Sequence, residues 1–299
     1  MSLAHTLRIA VQDAGESVRT RRFAVTLLLY LAISLLTMNG MISVLLRIET
    51  EVRQLLQLPA AGRGGIITDA VWQSRWFRGM IRQILQDDAA ALDLFTQHPL
   101  AVAYGRLALF YTPLLVMLLV PARLSDELGS GAIRYAAARV TRGAWLAGKF
   151  SGHTATTGLA ILMGAVGAWI VARLRLPADD GGALAIGMGW AALRTWIYAV
   201  AFIGIGCGLG MFTRSSGRAM ALGILSLLVL GAGGMIAFWL ERRGILRGAH
   251  LLRSLLPQTY QIDLWRLSFS RVLSACAIMA GFAGAGLGSG HAKLCRRDL

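Results

Sequence analysis

The chain of 299 residues is 56% hydrophobic and 15% charged, with a mean hydropathy of +0.60, against about 45–50% apolar and about 25% charged residues in a soluble domain. Such a composition excludes a soluble globular protein and points to a multispan membrane protein. A formal charge of +15 raises nucleic acid as a partner, but the basic residues are spread through short loops and helix ends, and anionic membrane lipids suffice as their counterparts.

Residues 1–22 interleave Leu3, Leu7, Ile9 and Val18 with Arg8, Asp13, Glu16 and Arg19, the pattern of an amphipathic helix lying on a membrane. Arg19, Arg21 and Arg22 hold that end in the cytoplasm. The apolar run over residues 23–46 is longer than the roughly 7–15 residues of a signal-peptide core and reads as the first span. Residues 47–100 contain no span and balance six basic residues against six acidic ones, which suits an extracytoplasmic loop. Its turn is expected at the glycine-rich residues 60–65. Beyond it Ile67, Val71, Trp72, Trp76, Met80, Ile84 and Leu85 recur at helical spacing. A helix in the outer interface is therefore expected, with Trp72 and Trp76 as interface-seeking rings. The second span, residues 101–121, carries Arg106 near its outer end, where a long side chain can snorkel to the headgroups.

Residues 121–150 form a polar connection between two apolar runs of about 20 residues each. Arg123, Arg134, Arg139, Arg142 and Lys149 stand against Asp126 and Glu127, a net +3, and short loops with excess Lys/Arg lie in the cytoplasm. In order the connection reads Asp126-Glu127, Ser130-Gly131, Ile133-Arg134-Tyr135, a short apolar stretch, Arg139, Val140-Thr141-Arg142, then Gly148-Lys149-Phe150 opening a helix. This order resembles the cytoplasmic loop of ABC-2 type transporter permeases, where an acid precedes Ser-Gly-Thr-Leu-Arg, a Leu-rich turn, Arg-Pro-Val-Ser-Arg and Gly-Lys. The chain departs from that pattern in having Ala132 for the Thr and no Pro between Arg139 and Val140.

The third span is expected over residues 151–172, with His153 near its start as a packed or interfacial side chain, and an outer turn over residues 173–182 follows. A fourth span ends near residue 212 and contains Gly204 and Gly208, a small-xxx-small spacing that lets helix backbones approach closely. Arg214 and Arg218 mark a tight inner loop before the fifth span, residues 219–240. Residues 241–270 then hold five arginines against Glu241 and Asp263; six spans place this segment outside, against the positive-inside rule. The resemblance implies a re-entrant or interfacial helix there, and residues 245–256 are apolar enough to dip into the membrane. The last span, residues 272–289, repeats the small-residue spacing at Gly284 and Gly288 and again at Gly286 and Gly290. Lys293, Arg296 and Arg297 anchor the end in the cytoplasm. The expectation is an all-α membrane protein of about six transmembrane helices, N-in and C-in, with residues 23–299 as one permease-like unit of the type V (ABC-2) exporter kind.

No catalytic constellation is visible. Gly143 to Lys149 satisfies the first seven places of GxxxxGK[ST], but Phe150 lacks the hydroxyl that holds Mg²⁺, Trp145 and Leu146 are bulky, and no strand precedes. Cys207, Cys276 and Cys295 lie too far apart for a metal cluster, and Met38, Met41 and Met117 read as packing. Intramembrane carboxylate pairs, the mark of a proton-coupled carrier, are missing, so a transporter of this sequence needs work supplied from elsewhere. The resemblance implies the source: two copies of a separate ATP-binding subunit, holding ATP and Mg, that press on residues 121–150 of a paired, homo- or heterodimeric permease in the bacterial inner membrane. It also implies an export path along the first, second and fifth spans. Asp126, Glu127, Gly131, Ile133, Arg134, Tyr135, Arg139, Arg142 and Lys149 would then couple to that subunit, Ile133 and Tyr135 buried in its groove and the charges at the rim. A membrane scaffold of a secretion or motility complex is the alternative.

Overall fold

The computed structural model describes residues 15, 21–55, 72–85, 87–131, 133, 140–176, 181–243 and 249–296. The amphipathic helix expected over residues 1–22 lies almost wholly outside them, as does the turn at residues 60–65. The described elements are helices: α1 (Arg21–Leu55), α2 (Arg75–Leu85), α3 (Asp88–Phe95), α4 (Pro99–Gly129), α5 (Arg142–Arg175), α6 (Gly181–Gly210), α7 (Ser216–Arg242), α8 (Ala249–Ser254) and α9 (Phe269–Cys295), with 3₁₀ turns at Pro257–Gln261 and Asp263–Trp265 before α9. Six of them, α1, α4, α5, α6, α7 and α9, are long and apolar enough to cross a membrane. Helices meet the demand of hydrocarbon because each satisfies its backbone hydrogen bonds within itself.

These helices overrun the apolar runs. α1 continues to Leu55 rather than residue 46, α4 to Gly129 rather than 121, and α5 starts at Arg142 rather than 151. Hydropathy marks where lipid ends, whereas a helix proceeds into water as long as its ends are capped. Thr141 Oγ1 accepts from Ala144 N at 3.4 Å at the start of α5. Gly131, at φ +73°, takes the left-handed conformation that closes α4 and that glycine adopts without strain. The polar connection of residues 121–150 is thus largely two helix ends rather than a loop, and the GxxxxGK-like stretch lies inside α5, its backbone N–H groups from Trp145 onward bonded along the helix.

α4 and α6 form the centre. In each, 67% of the most apolar window is buried within the chain, against 11% in α7 and 17% in α9, so α7 and α9 turn most of their apolar surface outward. α1 packs on α5, α5 and α9 on α6, and α7 on α4. Met38 and Met117 are fully buried in this packing. Pro121 cannot donate to Met117 O within α4, and α7 meets that carbonyl at Gly223, where an added Cβ would collide with Met117 O. Gly204 and Gly208 of α6 abut Ala283 and Gly286 of α9, and Gly286 and Gly290 face back onto Gly204 and Gly208. Gly284 and Gly288, the other candidate pair, instead have open space where a Cβ would stand. Both pairs satisfy the same spacing, and only the rotation of α9 about its axis selects between them.

At the end of the bundle that carries the α1–α4 connection, the pair of 3₁₀ turns enters between the helices; of the segment expected to dip into the membrane, residues 245–248 lie outside the described residues and Leu251, Leu252 and Leu255 are exposed. Leu264 and Trp265 are buried, and the Trp265 ring lies against Gly105 of α4, where a Cβ would come within 2.5 Å of it. Arg266 Nη2 meets Asp87 Oδ2 at 2.5 Å and its Nη1 lies 4.0 Å from Asp93 Oδ2. Arg253 pairs with Glu241 at 3.1 Å, and the Arg243 guanidinium lies 4.2 Å from the Trp239 ring centre. The arginine excess of residues 241–270 is therefore offset in part by Asp87 and Asp93 of the α1–α4 connection and by an aromatic face. Trp76 is exposed as expected of an interface ring, but Trp72 turns inward, edge-on to Phe95 at 5.2 Å. Arg106 does not snorkel outward either: its guanidinium lies 5.8 Å from the Trp265 ring centre.

Candidate coupling site and membrane cavity

The end of α4, the start of α5, the end of α9 and the turn between α6 and α7 converge on the residues of the α4–α5 connection. Lys149 Nζ donates to Glu127 Oε1 at 2.7 Å, with both side chains largely buried, and Arg123 Nε lies 4.0 Å from the same oxygen. Charges this close in a half-dry setting attract strongly but have lost hydration to meet. Two residues before Glu127, Ser125 Oγ lies 2.7 Å from Thr213 Oγ1 in the α6–α7 turn, and Gly129 abuts Arg214 O of the same turn. Arg142 Nη1 donates to Leu294 O at 3.1 Å and Cys295 O at 3.0 Å, filling carbonyls that the end of α9 leaves without intrahelical partners. α4 is thereby tied to α5 by an ion pair, to the α6–α7 turn by hydroxyls, and α5 to α9 by a guanidinium.

This arrangement changes the roles expected of several side chains. Glu127, Lys149 and Arg142 bind within the chain rather than standing as rim charges, because the overrunning helix ends bring their partners into reach. Ile133 is 3% exposed, packed in the chain's own core instead of waiting for a partner's groove. Gly131 serves to end α4. Asp126 is half-buried and faces a cavity. Arg134, Tyr135 and Arg139 lie outside the described residues. Among the remaining described positions, Gly129, Ser130 and Thr141 are exposed, at the end of α4 and the start of α5.

Above this cluster lies a cavity of about 390 Å³ between α1, α4, α5 and the start of α7. Its walls include Val25, Leu115, Val116 and Leu119; at its inner end stand Arg123, Asp126 and His153, and at its deep end Tyr30 and Thr112. Tyr30 and Thr112 share a hydrogen bond of 3.0 Å between α1 and α4, next to a second link in which Ser34 Oγ lies 2.9 Å from Tyr111 OH and 3.2 Å from Tyr104 OH. Sequence reasoning passed over this site. Its signal was the stripe Thr112, Leu115, Val116, Leu119, Val120, Arg123 at helical spacing, in which a hydroxyl begins and a cation ends an apolar face. Among the described residues no group of His, Cys, Asp and Glu could hold a metal ion.

Residues 7–243 match the family model described as ABC-2 family transporter protein. That span takes in five of the six long apolar helices, the cavity, and the whole α4–α5 connection. The chain belongs to the ABC-2 family of transporter proteins. No curated protein matches it. Membership makes this multi-pass protein a membrane transport component, a permease subunit of an ABC transporter.

Proposed function

We propose that this chain is the permease of an ATP-driven exporter in a bacterial inner membrane, with both termini in the cytoplasm. It works as a pair of permeases with two separate ATP-binding subunits, which supply the ATP and Mg chemistry. The subunit docks around Ser130, Gly131 and Thr141 at the end of α4 and the start of α5, and reaches Arg134, Tyr135 and Arg139. One observation supports this most: the docking tip is continuous with α4, the central helix, whose last turns are bonded to α5 and to the α6–α7 turn. A push on the tip therefore moves the centre of the bundle, not a detached loop. The cavity between α1, α4, α5 and α7 is where cargo from the inner leaflet would first contact the chain.

The test is capture of the tagged, full-length chain from its native membrane. An ATP-binding subunit should co-purify, cross-link to cysteines placed at Ser130 and Thr141, and carry all ATP hydrolysis. Hydrolysis by the isolated chain, or a native complex with no ATP-binding subunit, would overturn the proposal.

A further inference from the structure

We propose that the inner cavity takes an amphiphile with a zwitterionic head, one carrying a phosphate and an ammonium group on a single apolar chain. The proposal deepens the transport reading, on which it rests for the fate of the ligand but not for its binding.

Three features of the cavity lead there. Along α4 it runs from Thr112 to Asp126, about 21 Å at a rise of about 1.5 Å per residue. That covers one leaflet of a hydrocarbon layer about 30 Å thick, with some length left for a headgroup. Its volume of about 390 Å³ falls at the lower end of the roughly 300–1,000 Å³ of ligand pockets, suited to one slender body rather than a bulky one. Apart from the hydroxyls of Thr26, Thr156, Thr157 and Ser216 the wall between the ends is apolar, with Leu115, Val116, Leu119 and Met220, and it suits a hydrocarbon chain better than a sugar or a peptide backbone, most of whose polar groups would be stripped of water without replacement.

Both ends are polar, but differently. The deep end is closed by Tyr30 and Thr112, which bond to each other. At the inner end Arg123 and Asp126 stand three residues apart on one face of α4, one helical turn from each other. A head bearing only negative charge meets Arg123 favourably and Asp126 unfavourably; a cationic head meets the reverse. A head with both charges places its phosphate at the guanidinium and its ammonium at the carboxylate, so neither loses hydration without a counterpart. The ligand would thus lie as a lipid of the inner leaflet lies, head toward the cytoplasm and chain toward the membrane centre, one residue away from Glu127 and its tie to α5.

Direct binding to the purified full-length chain in neutral detergent tests this, with no nucleotide or partner present. Three fluorescent probes share one tail: a lysophosphatidylcholine, an alkyl phosphate and an alkyl trimethylammonium. The zwitterionic probe should bind about tenfold more tightly than either of the others. Arg123→Gln should erase that advantage and favour the cationic probe, Asp126→Asn should favour the anionic one, and Thr157→Phe should weaken all three by filling the cavity. Met220→Trp serves the same end should Thr157→Phe not fold. Equal binding of the three probes, charge variants that leave the preference unchanged, or full affinity in a filled cavity would overturn the proposal. Those results would leave docking of the ATP-binding subunit standing, whereas a missing subunit beside an intact probe preference would sink the transport reading alone.

Discussion

Replacing Glu127 with Gln tests the mechanical core of the molecule. The Lys149 ammonium then keeps its place, 12% exposed, without the carboxylate 2.7 Å away, and Arg123 loses the same neighbour. An exposed pair contributes roughly 0–1 kcal/mol, and breaking a fully buried one costs about 3–5 kcal/mol. With side-chain exposures of 12% and 23% this pair belongs between, at roughly 1–3 kcal/mol. At roughly 2 °C per kcal/mol for a chain of this size, Glu127→Gln should lower the thermal midpoint in detergent by roughly 2–6 °C. Lys149→Gln should do the same, and the double variant should lose less than the two together, since each single change already removes the shared interaction. In the assembled transporter both single variants should also lower transport per ATP hydrolysed, because the tip would move without taking α5 along. Additive losses in the double variant, or unaltered coupling in both singles, would refute the idea that this ion pair joins the tip to the spans.

Gly204→Leu and Gly208→Leu should each force α6 and α9 apart and lower the midpoint, overpacking costing about 1–3 kcal/mol; Gly284→Leu, facing open space, should leave it nearly unchanged. Trp265→Ala should remove the plug between α4 and α6 and destabilise by about 3–5 kcal/mol, read as a lowered midpoint and as increased proteolysis of residues 257–268. A cysteine at Ser130, in a background free of Cys276 and Cys295, should react with a membrane-impermeant maleimide only when the cytoplasmic face is open, while one at Leu92 should react from outside. The opposite pattern would invert the topology. Arg142→Ala should speed amide exchange over the last turn of α9, whose carbonyls it fills, and Arg142→Lys should restore part of the protection.

Hydrocarbon permits so few backbone solutions that hydropathy and charge bias suffice to locate spans, so the class, the six helices and the place of the polar connection along the chain are legible in the residues alone. The sequence also carried the family, through the order of residues 126–150. Tertiary structure decided what periodicity leaves degenerate. Gly286 and Gly290 face α6 while Gly284 and Gly288 do not; Trp265 packs against Gly105 of α4; the Arg106 guanidinium lies beside the same indole; and Glu127 and Lys149, 22 residues apart, form one bond. Each depends on the rotation of a helix about its axis or on a partner brought from far along the chain. Local sequence fixes what a side chain needs, but the packing of distant helices settles which neighbour supplies it.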